Sequence, residues 1–136
     1  MQKILVVEDD FDIQELLQNF LQEAGYEVAV ANDGVEALSL FAGQRYDLIV
    51  LDVMLPKIDG YGVCELIRKQ SDVPIIMLTA LSGEEDQIKG LDLQVDDYIT
   101  KPFSMPVCSV KIAAVLRRTT KSGRKLSKSS TIAICL

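Results

Sequence analysis

The chain predicts an alternating α/β domain built on one five-stranded parallel sheet, and three observations carry that prediction. Apolar runs such as Ile4-Leu5-Val6-Val7, Leu48-Ile49-Val50-Leu51 and Ile75-Ile76-Met77-Leu78 are unbroken rather than alternating, as in strands covered on both faces. Helical periodicities separate the runs, the pattern of a parallel sheet flanked by helices. Four strand-like runs end in residues suited to phosphate or metal chemistry: Glu8, Asp9 and Asp10; Asp52; Thr79; and Thr100, Lys101 and Pro102. In such sheets the ligand crevice lies beyond the carboxyl ends of the strands, so residues remote in sequence are expected to meet there.

Each element has its own local signal. After the first strand, Ile13, Leu16, Leu17, Phe20, Leu21 and Ala24 form the i, i+3, i+4, i+7 stripe of a buried helix face. Asp10 is a candidate cap for that helix, and Gly25 can close it as the C′ residue. Residues 27–31 read as the second strand. Asn32, Asp33 and Gly34 make a turn, with Asp33 the N-cap of a helix through Ala37, Leu38 and Phe41. The third strand ends at Asp52, and a loop with Pro56 and Asp59-Gly60 leads to a third helix marked by Val63, Leu66 and Ile67. The fourth strand follows Pro74. Ser82 and Glu85 have capping-box spacing, which starts a fourth helix near Glu84. A brief fifth strand precedes Lys101, and a last helix is expected over residues 105–118, with Pro106 tolerated in its first turn. Right-handed crossovers then favour a flavodoxin-like (βα)5 order, 2-1-3-4-5. This order sets strands one and three side by side, with Glu8 and Asp9 facing Asp52.

Composition narrows the function classes. The 136 residues suit one domain with one core. No apolar stretch approaches the ~20 residues of a membrane span. The N-terminus enters a strand almost at once, so no secretory signal is expected. Cys64, Cys108 and Cys135 are odd in number and contain no CxxC pair, which points to reduced thiols in a cytoplasmic protein. There is no histidine, which excludes Ser-His-Asp catalysis, HExxH zinc sites and a phosphohistidine on this chain. Net charge is -6, yet every acidic residue precedes Tyr98, while Arg117, Arg118, Lys121, Arg124, Lys125 and Lys128 crowd the C-terminal part. Residues 1–118 read as the folded domain and 119–130 as a basic polar linker. The apolar residues 131–136 read either as the start of a missing DNA-binding domain or as a terminal remnant. An acidic body repels DNA, so DNA affinity is not expected from residues 1–118.

Carboxylates gathered within a few ångströms raise one another's pKa, and either a shared proton or a divalent cation relieves them. An oxygen-only, solvent-facing site suits Mg²⁺ or Mn²⁺. Lys101 argues against the shared proton, because a nearby ammonium stabilises ionised carboxylates. Thr79 adds a hydroxyl. A carboxylate with a metal on one side and a cation and a hydroxyl on the other is equipped to accept a phosphoryl group. Taken singly, each residue has a bland reading as cap, turn residue or surface charge; their shared position at four strand ends favours the functional one.

The segments VVEDD, LDVMLPKIDG, MLTA and DDYITKPF resemble the receiver domain of bacterial two-component response regulators, over about residues 3–118. The resemblance implies that Asp52 accepts a phosphoryl group from the phosphohistidine of a sensor histidine kinase. It implies that Asp9, Asp52 and the backbone carbonyl of Met54 hold Mg²⁺, with Glu8 acting through a metal-bound water. It further implies that Thr79 and Lys101 are drawn to the new phosphoryl oxygens, that Tyr98 turns inward behind them, and that the Lys101–Pro102 bond is cis. Met54 and Leu81, two residues beyond Asp52 and Thr79, would flank the attacking water and tune the lifetime of the phosphorylated state. KPFS, the paired arginines and the apolar tail resemble the OmpR-like class, which implies a transcription regulator reading DNA through a winged-helix domain outside these residues. A homodimer would use the face of the fourth helix, fifth strand and last helix, with Lys89, Asp97 and Lys111 as candidate contacts.

The chain departs from the family pattern at Leu93-Gln94-Val95 before Asp96-Asp97-Tyr98, where many relatives carry a glycine, and at Val107 and Cys108, where winged-helix relatives often carry an acidic residue. Glu8 replaces a frequent Asp. The expected activity is that of a regulatory phosphoacceptor with autophosphorylation and autodephosphorylation chemistry only, not an enzyme acting on an external substrate. A stand-alone receiver acting through protein contacts is the alternative. An aspartate-nucleophile phosphatase would need a second Asp two residues after Asp52, where Met54 stands.

Overall fold

A computed structural model describes residues 1–80, 94–101 and 103–122. In chain order the elements are β1 (Lys3–Val7), α1 (Phe11–Glu23), β2 (Glu27–Ala31), α2 (Gly34–Gly43), β3 (Leu48–Asp52), α3 (Gly60–Arg68), β4 (Ile75–Thr79), β5 (Asp97–Thr100) and a C-terminal helix (Met105–Ser122). The expected fourth helix, with Ser82 and Glu85, lies outside the described residues.

The five strands form one parallel sheet in the order β2-β1-β3-β4-β5, as the sequence predicts. β1, β3 and β4 hold the centre because their side chains are apolar on both faces. Leu5, Val7, Ile49, Leu51, Ile75 and Met77 pack on one side with Ala37 of α2 and Val63, Cys64 and Ile67 of α3. Ile4, Val6, Leu48, Val50, Ile76 and Leu78 pack on the other with Leu17 and Leu21 of α1 and Cys108, Ile112, Val115 and Leu116 of the C-terminal helix. Register brings the strand ends level: Val7 lies opposite Leu51, Asp52 opposite Leu78, and Thr79 opposite Thr100. Polar residues that follow these positions therefore emerge along one edge.

The caps follow the sequence reading. Asp10 accepts from the Asp12 and Ile13 N–H groups, Gly25 takes φ +99° just past α1, and Asp33 accepts from the Glu36 N–H. Three details differ. On α1 the buried line is Gln14, Leu17 and Leu21, while Leu16 is 51% exposed and Ala24 is exposed. The face against the sheet is thus rotated from the apolar stripe, and a glutamine occupies a place on it because its amide finds partners. Asp59 is the N-cap of α3 and Gly60 its first residue, rather than loop. The C-terminal helix continues to Ser122 instead of stopping at Arg118. No glycine or proline lies between Arg118 and Gly123, and the basic residues near its end suit the helix dipole.

Gly60 is where the fold constrains the site most tightly. Its N–H donates to the Val53 carbonyl at 2.9 Å, and a Cβ there would lie 2.3 Å from the Asp52 carbonyl oxygen and 2.7 Å from the Val53 Cα. Neither backbone atom can yield without moving Asp52. Gly60→Ala should therefore cost about 2–4 kcal/mol in urea unfolding, in the range of overpacking and strain effects. Gly43→Ala, where a Cβ meets nothing within 4 Å, should be neutral or stabilising by up to about 1 kcal/mol. Equal behaviour of the two variants would show that Gly60 is not required by contact.

Candidate functional site: an acidic cluster bridged by a lysine

The carboxyl ends of β1, β3 and β5 deliver the site. Glu8 follows β1, Asp52 ends β3, and Lys101 follows β5. Lys101 donates from Nζ to Glu8 Oε1 at 2.9 Å and to Asp52 Oδ2 at 2.8 Å. Carboxylate oxygens of Glu8, Asp9 and Asp52 lie within 4.8 Å of one another. Glu8 and Asp52 are buried and Asp9 is exposed, so the cluster has a sealed floor and one open side. Backbone donors complete it. Met54 N–H reaches Asp52 Oδ1 at 3.0 Å, and Asp10 N–H reaches Glu8 Oε2 at 3.2 Å.

Thr79 is buried at the end of β4, and its carbonyl accepts from the Lys101 N–H at 2.8 Å. Threonine and lysine are therefore joined through backbone at the mouth of the site. Tyr98 is half-buried and packs against the core on the α2 and α3 side. Met54 leaves its side chain 65% exposed beside Asp52. Asp97 and Lys111, expected on a dimer face, pair with each other at 3.3 Å, and Lys111 also donates to the Tyr98 carbonyl at 2.7 Å. Leu81, Lys89 and Pro102, with the isomer of the bond preceding it, lie outside the described residues. Gln14 was not singled out as a site residue in the sequence, because the apolar stripe of α1 runs through Ile13, Leu16 and Phe20 and leaves Gln14 at its edge.

The sequence reading sets Lys101 against a shared proton. Lys101 does pull Glu8 down, but burial, and next a hydrogen bond with Asp52, push it up to about 7. Burial alone would lower Lys101, but its bonds to Asp52 and Glu8 outweigh this and raise it. Three carboxylates facing one ammonium leave an excess of two negative charges when all are ionised, and a proton on Glu8 relieves part of it. A hard dication bound through oxygens would relieve it fully, and the open side at Asp9 leaves room for the waters such an ion retains. The donor set fits a divalent cation of the Mg²⁺ type.

A cavity of about 430 Å³ opens at the opposite end of the sheet, among Phe41, Tyr46, Val73, Pro74 and Thr119. None of the residues gathered at the strands' carboxyl ends lines it. The thiols of Cys64 and Cys108 are buried on opposite sides of the sheet and are both pushed up by burial, Cys108 to about 11, so neither offers a ready thiolate. No described helix is long and apolar enough to cross a membrane.

The raised Glu8 makes stability depend on pH. The folded state holds a proton up to about pH 7, whereas the ordinary value is 4.5. Stabilisation from that proton is complete below 4.5 and is lost as pH rises through 7. In metal-free buffer the domain should lose about 1–3 kcal/mol between pH 5 and 8 relative to Glu8→Gln. Parallel unfolding curves for the two proteins across that range would remove the shared proton.

Comparison with known proteins places this geometry. The profile of the response regulator receiver domain family matches residues 4–113. "Probable transcriptional regulator ycf27" of Guillardia theta is 53% identical over 121 residues, covering 89% of this chain and 48% of that protein. "Alkaline phosphatase synthesis transcriptional regulatory protein PhoP" of Bacillus subtilis is 51% identical over 117 residues, covering 85% of this chain and 49% of that protein. The chain thus spans about half the length of these curated relatives. Among solved structures, the receiver domain of the Francisella response regulator 1452 superposes with a TM-score of 0.83 at 39% identity, covering 88% of this chain and 99% of that one. The Thermotoga maritima response regulator TrrA, solved in complex with Mg²⁺ and BeF, gives 0.77 at 40% identity, covering 85% and 99%. With the profile spanning most of the sheet and its helices, and the lysine-bridged acidic cluster at the strand ends, the chain belongs to the response regulator receiver domain family.

Proposed function

We propose that this domain receives a phosphoryl group on Asp52 from the phosphohistidine of a sensor histidine kinase, in a reaction that depends on Mg²⁺. The single observation that carries the reading is the convergence of Asp52, Glu8, Asp9 and Lys101 from three strand ends into one half-open cluster. A carboxylate oxygen of Asp52 attacks phosphorus, the P–N bond to the donor imidazole breaks, and the leaving imidazole keeps the electron pair. Lys101 and the Met54 N–H each hold one oxygen of Asp52, which orients the carboxylate for this attack. Asp9, Asp52 and the Met54 carbonyl would hold the cation, with Glu8 reaching it through water. Bound there, Mg²⁺ supplies charge neutralisation for the transferring group.

After transfer, the Thr79 hydroxyl and the Lys101 ammonium engage the phosphoryl oxygens. Their movement pulls on β5 through the Lys101–Thr79 backbone bond, and Tyr98 turns inward. Phosphorylation thereby selects one of two packings of the face formed by the fourth helix, β5 and the C-terminal helix. The Asp97–Lys111 pair lies on that face and would have to exchange partners if two receivers dimerise through it. Two of the relatives are named as transcription regulators, which supports a regulator of transcription; it would act in the cytoplasm and contact DNA through a domain outside these residues. Met54, exposed beside Asp52, and Leu81 would shield the aspartyl phosphate from water and set its lifetime.

Incubation with Mg²⁺ and acetyl phosphate, read by intact mass, should add one phosphoryl group to the wild type. Asp52→Asn and chelation of the metal should each abolish the adduct, a loss of at least about 10²-fold in rate. An adduct persisting in Asp52→Asn would place the acceptor elsewhere. Replacing Met54 and Leu81 together with small polar residues should change the dephosphorylation rate severalfold, about 1 kcal/mol in barrier; an unchanged half-life would dismiss the shielding role.

A further inference from the structure

Four polar or charged side chains are buried among the described residues: Glu8, Asp52, Thr79 and Gln14. Three of them form the site. The fourth, Gln14, shares the sheet-facing side of α1 with Leu17 and Leu21 and is 7% exposed. A buried amide is costly unless its donors are satisfied, and both hydrogens on Gln14 Nε2 have acceptors. One goes to the backbone carbonyl of Glu8 and the other to Asn32 Oδ1, at 2.6 Å in the latter. Asn32 is oriented in turn, because its Nδ2 donates to Glu36 Oε1 at 3.0 Å and its backbone N–H donates to the same oxygen at 2.6 Å. With Nδ2 committed to a carboxylate, Oδ1 must be the atom facing Gln14.

The carbonyl that Gln14 grips belongs to the peptide joining Glu8 to Asp9. On its other side, the Glu8 N–H donates to the Ala31 carbonyl at 3.1 Å. Rotation of that peptide would swing the Asp9 side chain away from Glu8 and Asp52, and it would turn a carbonyl oxygen toward a cluster already rich in negative charge. We propose that Gln14 is a positioning residue: it locks the Glu8–Asp9 peptide so that both carboxylates converge with Asp52 on a divalent cation. The chain Glu36–Asn32–Gln14 carries that constraint from the first turn of α2 to the acidic loop. This inference rests on the Mg²⁺ reading of the cluster given above. It adds a residue that touches neither metal nor phosphoryl group.

The test measures Mg²⁺ affinity by isothermal titration calorimetry, with the thermal midpoint recorded for each protein. Gln14→Met keeps length and bulk but has no donor. It should weaken Mg²⁺ binding about tenfold, as loss of a hydrogen bond behind a metal ligand does. Its phosphorylation rate at saturating Mg²⁺ should stay within about twofold of wild type, because the reacting groups are retained. Asn32→Ala removes an exposed side chain, so folding is preserved even if Gln14→Met misfolds. It should weaken binding about threefold alone and have no further effect in the Gln14→Met background, the non-additivity of a shared network. Wild-type affinity in both single variants, whatever their thermal midpoints, overturns the positioning role and leaves the Mg²⁺ site standing. Failure of the folded wild type to bind Mg²⁺ overturns both.

Discussion

Lys101 leaves the end of β5 and reaches past β4 to bond both Asp52 of β3 and Glu8 beyond β1. That bridge makes the acidic edge compatible with a folded chain. Buried carboxylates a few ångströms apart repel one another, and the ammonium is the only cation bonded to this pair among the described residues. Without it the edge would have to open or take up more protons. A group added to Asp52 would have to share Lys101 with Glu8 or draw it away.

The compensation is incomplete, and the shortfall is informative. A proton on Glu8 near neutrality marks where positive charge is still missing. A dication bound here would compete with a proton for the same deficit, which would link metal occupancy to Glu8 ionisation. Asp9 is the exposed member of the cluster and leaves that side open to solvent.

Support for the cluster comes from backbone geometry as much as from side chains. Gly60 lets α3 start against the Asp52 carbonyl, and the Met54 N–H holds one Asp52 oxygen. Gln14 and Asn32 hold the loop that presents Glu8 and Asp9. Lys57, in the loop between β3 and α3, reaches Asp33 at the start of α2 at 3.3 Å, tying a second loop to the same helix end. The site is thus framed by neighbouring loops that share α2 as a support.

The sequence by itself determined the strands, their order and the acidic edge. Unbroken apolar runs separated by helical spacing admit few topologies, and a parallel sheet sends every strand end to one side. It also determined the caps at Asp10 and Asp33, because local hydrogen bonding depends on neighbours close in the chain. Only the tertiary structure decided which face of α1 is buried, that Gln14 belongs on it, and that Asp97 and Lys111 satisfy each other. It alone set the protonation of Glu8. These outcomes depend on contacts such as Gln14 with Asn32 and Lys101 with Glu8, whose partners are brought together only after the sheet has assembled. A periodicity argument sums preferences along one helix, and desolvation is a property of the whole packed interior.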